Sequence, residues 1–484
     1  MTSNLRTFLS EVVRSRPSDF VVVEGEVDPN CGITAFVEKL EDQGKDPIFY
    51  FKNVKGTKLP VIANTYADFD RIALTMRTKT RPEAVLEFCR RSATTIPPKV
   101  VKSGPVHEVV LREKSADVSL LPQIVHNELD GGPYLSSGMT VLKDPDDGSI
   151  NLGVYRNQIK GNRIGIMTNP ASHGRYIINR YEKLKKPMEV AIIVGHHPAL
   201  FFSAGGTRLP EVGGEYDFAG ALMKEPMSLV KGKTVDLLYP SDAEIVIEGR
   251  IEDVAKVEDE GNFGEYPRYY SGKKIVPFME VTAMCLRRDA VYQDVIPAHN
   301  EHITAGALPR MGTYFQRIKA NIPYIKMLNL PKSGSSRAIM YLSITKNSDG
   351  EGMHAGLAAL AADPNVKIVV VVDDDIDVFN EEQVWWAVAF RFEADRNLIT
   401  VPYTLGAHLN PSAYALKRAL HGVLQTRMIF DATWPAKPFV PSPVARASAE
   451  ARKTVEAQTI KEQIDGDLLK RLDIAPAQES GRRS

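Results

Sequence analysis

The run Ile-Val-Val-Val-Val at 368–372 is the feature that most constrains the fold. Successive branched apolar residues leave no polar face, so a strand of this composition must be covered on both sides. Helical patterns flank it at 352–363 and 380–392, and further strands are predicted at IKMLNLP and AIMYLSI. After about residue 320, the pattern therefore predicts α/β layers around a buried parallel strand.

The rest of the chain divides by pattern. Helical and strand patterns alternate over the first hundred or so residues. Short strands separated by Gly, Pro, Asn and Asp clusters then predict an antiparallel barrel or sandwich, interrupted by one helix at 174–186. The prediction is an α/β (α+β) multidomain chain with an N-terminal α/β domain (1–115), a central split β-barrel domain for a cofactor (116–310), a C-terminal α/β oligomerisation domain (311–445) and a helical tail (446–484).

The tail has its own pattern. Ile460, Ile464 and Leu468 stand four residues apart, which is typical of an amphipathic helix that packs on a partner subunit or back on the body. The last ten residues have a composition typical of disorder.

Charge and cysteine content exclude several classes of protein. The 484 residues include 60 basic and 60 acidic side chains, a balance that argues against nucleic acid as the main partner. The three cysteines, Cys31, Cys89 and Cys285, form neither a CxxC motif nor a disulfide framework. There is no secretory pattern at the N-terminus and no apolar run of membrane-spanning length. We therefore expect a soluble, cytoplasmic protein without a membrane partner.

Three polar residues of the central segment are candidate ligands of a metal or a phosphate. Asn151 lies on a predicted strand, His173 stands just before a helix and Glu215 begins another helical run. Asn, His and Glu together favour Mn²⁺, Mg²⁺ or Fe²⁺ over structural zinc. Each also has an ordinary structural explanation as a strand-rim or helix-start residue, so the spacing of these residues does not by itself identify a metal site.

The segment EGNFGEYPRYYSG, 260–272, places Glu260 and Glu265 around a turn-prone linker beside Arg268. Taken alone, the segment is typical of a solvated hairpin tip. Arg156, in NLGVYRNQ, is an odd number of positions from Asn151, so a regular strand would send their side chains to opposite faces. A bulge or turn at Gly153 could bring both to one ligand.

Together these motifs resemble the UbiD family of decarboxylases, which use prenylated flavin mononucleotide. The resemblance rests on N-x-G-x-Y-R at 151–156, S-H-G at 172–174, EYDFAGAL at 215–222, EGNFGEY at 260–266 and VVDDDIDVFNEEQVWWA at 371–387, in the family's order. It extends from about residue 5 to 440, nearly the whole chain.

The resemblance implies a site. Asn151, His173 and Glu215 match positions that hold a divalent ion, Mn²⁺ or else Mg²⁺ or Fe²⁺, against the cofactor phosphate, and family members often bind K⁺ nearby. Arg156, Glu260 and Glu265 match the catalytic set, in which Glu265 protonates the product of a covalent substrate–cofactor adduct. The implied cofactor contacts are Asn151, Leu152, Gly153, Val154, Tyr155, Arg156, Ser172, His173, Glu215 and Arg427.

One position departs from the family pattern. Four residues before the Asp of D-A-T we expect a lysine, and this chain has Arg427. An arginine can also reach a phosphate or a flavin carbonyl, but with a different geometry.

The substrate prediction rests on PAHNEHITAGALPR, 298–310, where His299, Asn300 and His302 could bind a polar or N–H-bearing ring. The alternative is a polar inter-domain loop. We expect reversible decarboxylation of an aromatic or heteroaromatic acid (hydroxybenzoate, pyrrole, furan or indole type), with CO₂ as product. The resemblance also implies a UbiX-type flavin prenyltransferase as cofactor supplier and a homodimer or larger assembly. Acrylic (cinnamic-type) acid decarboxylation and an FMN-dependent redox enzyme are alternatives, while a scaffold without cofactor and a metal-dependent hydrolase fit the residues less well.

Overall fold

The computed structural model describes residues 3–170, 172–205, 213–416 and 423–456. By contacts between residues, the chain divides into two compact units, Met1–Ala436 and Lys437–Ser484. Ile460, Ile464 and Leu468 of the predicted tail helix, like the predicted disordered end, lie outside the described residues. Among the residues that are described, no helix is both long and apolar enough to cross a membrane.

The first hundred residues alternate between helices and strands, as their pattern predicts. The elements are α1 (Leu5–Ser15), β1 (Phe20–Val27), α2 (Gly32–Glu41), β2 (Ile48–Val54), β3 (Val61–Ala63), α3 (Phe69–Ala73), α4 (Arg81–Ser92) and β4 (Lys99–Val100). Helix α1 begins with a capping box: the Asn4 side chain accepts the Thr7 N–H at 3.0 Å, and the Thr7 hydroxyl accepts the Asn4 N–H at 2.9 Å.

The central segment is dominated by strands. Its elements are β5 (Val109–Arg112), β6 (Tyr134–Leu135), β7 (Met139–Lys143), β8 (Ile150–Val154), β9 (Asn157–Lys160), β10 (Arg163–Gly165), α5 (His173–Leu184), β11 (Met188–Val194), α6 (Pro198–Gly205), α7 (Glu215–Met223), β12 (Ser228–Lys231), β13 (Leu238–Pro240), β14 (Ile245–Ile251), β15 (Val257–Glu260), β16 (Lys274–Leu286) and β17 (Tyr292–Gln293). Two small sheets, in the orders β1-β2-β3-β17 and β13-β12-β4, join the central segment to the N-terminal one.

The main sheet of this segment has ten strands and is split. Its order is β6-β9-β10-β16-β14-β11-β7-β8, with β15 and β5 also on β16. Strand β8 is at one end of this strand order and β9 is second from the other end, yet only two residues, Tyr155 and Arg156, connect β8 to β9. So short a connection spans about 11 Å at most, which requires the sheet to curl until its ends approach. Within the described ranges no ladder joins those ends, so the barrel does not close.

The last segment returns to α/β layers. It contains α8 (Asn300–Thr304), α9 (Ala307–Asn321), β18 (Ile325–Asn329), β19 (Ile339–Ile344), α10 (Glu351–Ala362), β20 (Ile368–Asp373), α11 (Glu381–Arg391), α12 (Ala394–Asn397), β21 (Leu398–Leu405) and β22 (Leu424–Ala432). Helix α13 (Ala449–Glu456) belongs to the second unit. The sheet order is β18-β19-β20-β22-β21, and β20 is parallel to both neighbours. Its residues 369–372 are fully buried, which confirms the predicted two-sided strand.

Several helices were not predicted from the sequence pattern, among them α6 and α9. Helix α6, PALFFSAG, is buried over most of its length, so its sequence has no polar face to mark a helical period. Helix α9 begins ALPR, and a proline in the first turn is compatible with a helix although it reads as a break. The prediction of a single helix in the central segment was therefore wrong. The predicted boundaries at 115 and 310 stay predictions, and residue 310 lies inside α9.

Candidate active site

Arg156 lies at the gap of the split sheet, in the connection between β8 and β9. Its backbone forms an isolated antiparallel bridge with Met167, which fixes the connection against the chain that follows β10. Only 8% of the residue is exposed. A guanidinium in such a place needs acceptors around it, because burying an unpaired charge is costly.

Glu260, the last residue of β15, provides the first two acceptors. Arg156 Nε donates to Glu260 Oε1 and Nη2 donates to Oε2, each at 2.7 Å. The glutamate is fully buried. Two parallel charge-assisted hydrogen bonds are strong and directional, so this pair holds the guanidinium plane in one orientation.

Glu265 and Ser271 accept from the other end of the guanidinium. Arg156 Nη1 donates to Glu265 Oε1 at 2.6 Å and to Ser271 Oγ at 2.8 Å. The Glu265 side chain is only 15% exposed. Burial raises the pKa of Glu265 above its ordinary value, against the opposing positive charges of Arg156 and Arg337. The surroundings of Glu265 therefore favour a bound proton.

The two glutamates belong to the hairpin between β15 and β16. Gly264 and Tyr270 form an isolated bridge across it, and Arg268, at φ 64°, makes the turn. Arg268 and Tyr270 are exposed, as expected of a hairpin tip. That interpretation is wrong for the glutamates, which lie on the inner side of the same hairpin and bind Arg156.

A second polar cluster joins β8 to the start of α7. Asn151 Nδ2 donates to Glu215 Oε1 at 3.4 Å, and the Leu152 N–H donates to Glu215 Oε2 at 3.2 Å. Because β8 is the last strand of the path, this edge of its backbone faces α7. The Tyr155 hydroxyl donates to Asn151 Oδ1 at 3.4 Å. The structure thus brings two of the three predicted metal ligands into contact.

His173, the third predicted ligand, is the first residue of α5. Ser172 caps this helix by accepting a backbone N–H at 3.2 Å. Gly174 packs so tightly on Tyr155 that a Cβ there would lie 2.2 Å from the tyrosine hydroxyl oxygen. Since that hydroxyl also bonds to Asn151, the start of α5 lies beside the Asn151–Glu215 pair. His173 itself is exposed.

The donor set fits a hard divalent cation. Asn151 and Glu215 offer oxygen atoms and His173 a nitrogen, a mixture that Mn²⁺, Mg²⁺ and Fe²⁺ accept. In the part of the chain that the structure describes, no group of three or more His, Cys, Asp or Glu side chains could hold a metal ion. The Asn-His-Glu set contains only two residues of those types. Gly153 and Val154 complete the strand on which the predicted cofactor contacts lie.

Two of the three predicted substrate residues face the N-terminal region instead. Asn300 Nδ2 donates to Asp46 Oδ1 at 3.0 Å, and its backbone N–H donates to Glu41 Oε2 at 3.1 Å. His299 Nδ1 lies 3.4 Å from Glu41 Oε2, and Arg268 also donates to Glu41. These contacts join α2, the hairpin and α8. The segment is not the loop of the alternative prediction, because α8 and α9 occupy most of it, but its polar contacts do run to the N-terminal region.

His302, the third predicted substrate residue, lies among positive charges. It is half-buried, and its Nδ1 accepts the Ala298 N–H at 3.3 Å, which leaves Nε2 to carry the proton of a neutral ring. Burial and the positive charges of Arg337, Arg310 and Arg156 lower the pKa of His302 to about 3. The ring is therefore a neutral hydrogen-bond donor.

Two buried or ring-stacked arginines, Arg310 and Arg337, were not among the site residues predicted from the sequence. Arg310, in the first turn of α9, is 8% exposed. Arg337, just before β19, lies over the ring of Tyr266 with its Cζ 4.2 Å from the ring centroid. Tyr266 directly follows Glu265. Arg310 is the last residue of the segment 298–310 that the sequence analysis singles out. Its burial could not be predicted, because it depends on the packing of α9.

Arg427 has a place within the C-terminal sheet. Its Nη1 donates to the Leu360 carbonyl at the end of α10, and its Nη2 donates to the Leu405 carbonyl of β21 at 3.0 Å. These bonds tie α10 and β21 to β22. They give Arg427 a structural role, and the predicted cofactor contact stays a prediction.

Comparison with known proteins agrees with this fold. Family models for the N-terminal, Rift-related and C-terminal domains of 3-octaprenyl-4-hydroxybenzoate carboxy-lyase match residues 15–89, 99–300 and 302–432. The chain is therefore a carboxy-lyase. More particularly, it belongs to the UbiD family.

Named relatives are decarboxylases. The chain is 30% identical over 412 residues to the anhydromevalonate phosphate decarboxylase of Methanothermobacter thermautotrophicus, covering 84% of this chain and 93% of the relative. It is 30% identical over 454 residues to the phenolic acid decarboxylase of Sedimentibacter hydroxybenzoicus, covering 90% and 92%.

A solved structure extends the likeness to a flavin-bound enzyme. The UbiD-class enzyme HmfF from Pelotomaculum thermopropionicum, in complex with FMN, superimposes with a TM-score of 0.85 at 33% identity, over 94% of this chain and all of that one. An evolved dimeric form of HmfF, in complex with prFMN, gives a TM-score of 0.82 at 31% identity, with the same coverage.

Proposed function

We propose that this chain catalyses the reversible, non-oxidative decarboxylation of an aromatic or heteroaromatic carboxylic acid with prenylated FMN. The substrate classes are hydroxybenzoate-, pyrrole-, furan- and indole-type acids. The observation that carries the proposal is one buried arginine shared by two unequal glutamates. Arg156 binds Glu260 at 2.7 Å and Glu265 at 2.6 Å, and burial raises the pKa of Glu265.

Prenylated FMN, when bound, supplies the electron sink that loss of CO₂ from an sp² carbon requires. The strand 151–154, Tyr155 and Ser172 would line its site. Asn151, His173 and Glu215 would hold Mn²⁺, or else Mg²⁺ or Fe²⁺, against its phosphate, and backbone carbonyls could hold K⁺. The contact of Glu215 with Asn151 and Leu152 supports this placement.

The protein's own groups would move the proton. Glu265 holds it, because burial opposes the ionised form. Arg156 keeps Glu265 at one end of its guanidinium while Glu260 holds the other. In the decarboxylation direction, Glu265 donates its proton to the carbon that lost CO₂. In the carboxylation direction, the ionised Glu265 takes a proton back.

A second candidate is decarboxylation of an acrylic acid. It is supported by the likeness to a relative named anhydromevalonate phosphate decarboxylase. The same Arg156–Glu260–Glu265 set would serve, since both reactions end with protonation of an sp² carbon. An acid panel separates the two candidates.

We also infer a homodimer or larger assembly and a flavin prenyltransferase as cofactor supplier. Helix α11 exposes 43% of Trp385, 39% of Trp386 and 68% of Phe390. Large aromatic side chains in such a row are typical of an interface.

The test is a spectrum, a cofactor mass and a turnover screen on protein produced together with a flavin prenyltransferase. We expect prenylated FMN and CO₂ release from one class of ring acids. Release from acrylic acids alone would favour the second candidate. Plain FMN with NAD(P)H oxidation would replace both by a redox function.

A further inference from the structure

The loop 127–133 lies against the hairpin 260–272, which carries both glutamates of the site. The Gly131 N–H donates to the Asn262 carbonyl at 2.8 Å. A Cβ on Gly131 would lie 2.3 Å from the Gly261 Cα, so the two backbones touch with no room for a side chain between them. Because only glycine allows so close an approach, the loop is fitted to this hairpin.

Asp130 extends this contact to the residue that precedes Glu265. Its Oδ1 accepts the Gly264 N–H at 2.9 Å. Its Oδ2 accepts the Asn127 N–H at 2.9 Å and the Asn127 side-chain amide at 3.2 Å, which fixes the carboxylate within its own loop. Hydrogen bonds to a carboxylate are stronger than those between neutral groups, so Asp130 ties the loop firmly to the hairpin.

The backbone of Glu265 is also held by the tip of its own hairpin. The Glu265 N–H donates to the Tyr269 carbonyl at 2.9 Å, and the Arg268 N–H donates to the Glu265 carbonyl at 2.8 Å. The consecutive N–H groups of Gly264 and Glu265 are therefore bonded to two different elements, the loop and the hairpin tip. This backbone sets the point from which the Glu265 side chain reaches Arg156 Nη1 at 2.6 Å.

Gly264 lies between two residues that both contact Arg156. On one side, the Arg156 Cζ lies 5.2 Å from the centroid of the Phe263 ring, and that ring packs on Tyr134 with centroids 4.8 Å apart. On the other side, Glu265 accepts an N–H of the guanidinium. A shift of the Gly264 backbone would displace both contacts, and a displacement of about 1 Å at a reacting group can lower a rate about 100-fold.

We propose that Asp130 is a positioning residue for the protonation step, because it holds the Gly264 N–H and so sets the position of Glu265 against Arg156. This inference rests on the proposed decarboxylase function. Asp130 exchanges no proton with the substrate and acts through the hairpin backbone. Its loss should therefore lower the rate of the chemical step without weakening substrate binding.

The first test separates kcat from KM on the cofactor-loaded full chain. The substrate is whichever of 4-hydroxybenzoate, pyrrole-2-carboxylate, furan-2-carboxylate and indole-3-carboxylate the wild type turns over fastest. We expect Asp130→Ala to lower kcat by about 10- to 30-fold, as loss of a charge-assisted bond predicts, with KM within about twofold. Asp130→Asn keeps one oxygen acceptor and should restore kcat to within about threefold of the wild type.

The matched control is Asp253→Ala. Asp253 also accepts a backbone N–H, that of Ala255 at 3.0 Å, but within an exposed turn. This variant should change neither kcat nor KM. If Asp130→Ala does not fold, Asp130→Ser takes its place with the same expected outcomes, because serine keeps a polar side chain that is one atom shorter.

A double substitution distinguishes positioning of Glu265 from general support of the fold. A residue that acts only through Glu265 has nothing left to position once Glu265 is replaced. In the Glu265→Gln background, Asp130→Ala should therefore change the residual rate less than about twofold. A further loss of about 10-fold in that background would mean that Asp130 supports the site as a whole, and the inference would be overturned.

Hydrogen exchange tests the same contact without turnover. Peptides that contain Gly264 should exchange about 10-fold faster in Asp130→Ala than in the wild type or in Asp253→Ala. Unchanged exchange there, or a kcat within twofold of the wild type, would overturn the inference. Faster exchange in a chain whose wild type releases no CO₂ from any of the four acids would support the hold of Asp130 on the hairpin and count against the proposed reaction.

Discussion

Arg156 and Glu260 form a buried ion pair in which each oxygen of the carboxylate accepts one N–H at 2.7 Å. Because Nε and Nη2 are used in this way, Nη1 is directed to Glu265. The position of Glu265 therefore depends on the ion pair between Arg156 and Glu260.

Replacing Arg156 by lysine tests this dependence. Lysine keeps the charge but cannot hold two carboxylates in one plane, so we expect decarboxylation to fall by about 100-fold or more. The measurement is initial CO₂ release from cofactor-loaded protein. Arg163→Lys is the matched control, because Arg163 pairs with Glu258 at the surface and should change the rate less than twofold. A lysine variant at Arg156 with the full rate would contradict the proposed geometry.

The pH dependence of the reaction should follow Glu265. Burial raises its pKa above the ordinary value, so the proton is present at low pH and is lost as pH rises through the raised pKa. We expect kcat/KM for decarboxylation to fall along this upper limb. Its midpoint should lie above 4.5, the ordinary value. A rate that rises through the same range would assign the limb to another group.

Much of this site could be anticipated, since it lies in contiguous motifs. The buried strand at 368–372 and the glutamates around GNFG each have a local pattern that a reader of the sequence can find. The influence of the Arg337 charge on Arg310 has no such pattern, because 27 positions separate the two residues.

The same lack of a local sequence pattern explains why the contacts of His299 and Asn300 could not be predicted. Their residue types suit a polar ring, but their partners Glu41 and Asp46 lie more than 250 residues earlier in the chain. Helix α6 was not predicted for a different reason, because a helix buried on most sides has no amphipathic period in its sequence.

His173→Ala should lose the divalent ion and the flavin together, because His173 would supply the nitrogen ligand beside Asn151 and Glu215. Metal and flavin are counted per chain after purification. His354→Ala, also an exposed histidine on a helix, is the control and should keep both. Normal flavin content in His173→Ala would show that His173 does not hold an ion between the protein and the cofactor phosphate.

Glu41 should make stability depend on pH. Burial opposes its charge, but His299, Arg268 and the Asn300 N–H outweigh burial and lower its pKa to about 2. Because its pKa is depressed in the folded protein, ionised Glu41 contributes its full stabilisation at pH values above the ordinary pKa of 4.5. This contribution is lost as the pH falls from 4.5 through about 2.

We therefore expect Glu41→Gln to lower the free energy of unfolding at pH 7 by about 2 kcal/mol. The deficit should shrink steadily when unfolding by urea is repeated at lower pH. Glu24→Gln, which removes an exposed pair with Lys52, should cost less than about 0.5 kcal/mol at either pH. A deficit at Glu41 that is independent of pH would show that the carboxylate charge is not the cause.

The most direct test of the account is the rate of CO₂ release by Glu265→Gln loaded with prenylated FMN. Glutamine keeps the shape and the contact with Arg156 but has no acidic proton, so the account predicts a loss of net decarboxylation by about 100-fold or more with cofactor content unchanged. Glu258→Gln, a surface glutamate close by in the chain, should keep the full rate. Full turnover by Glu265→Gln would show that another group protonates the product, and the central claim would be wrong.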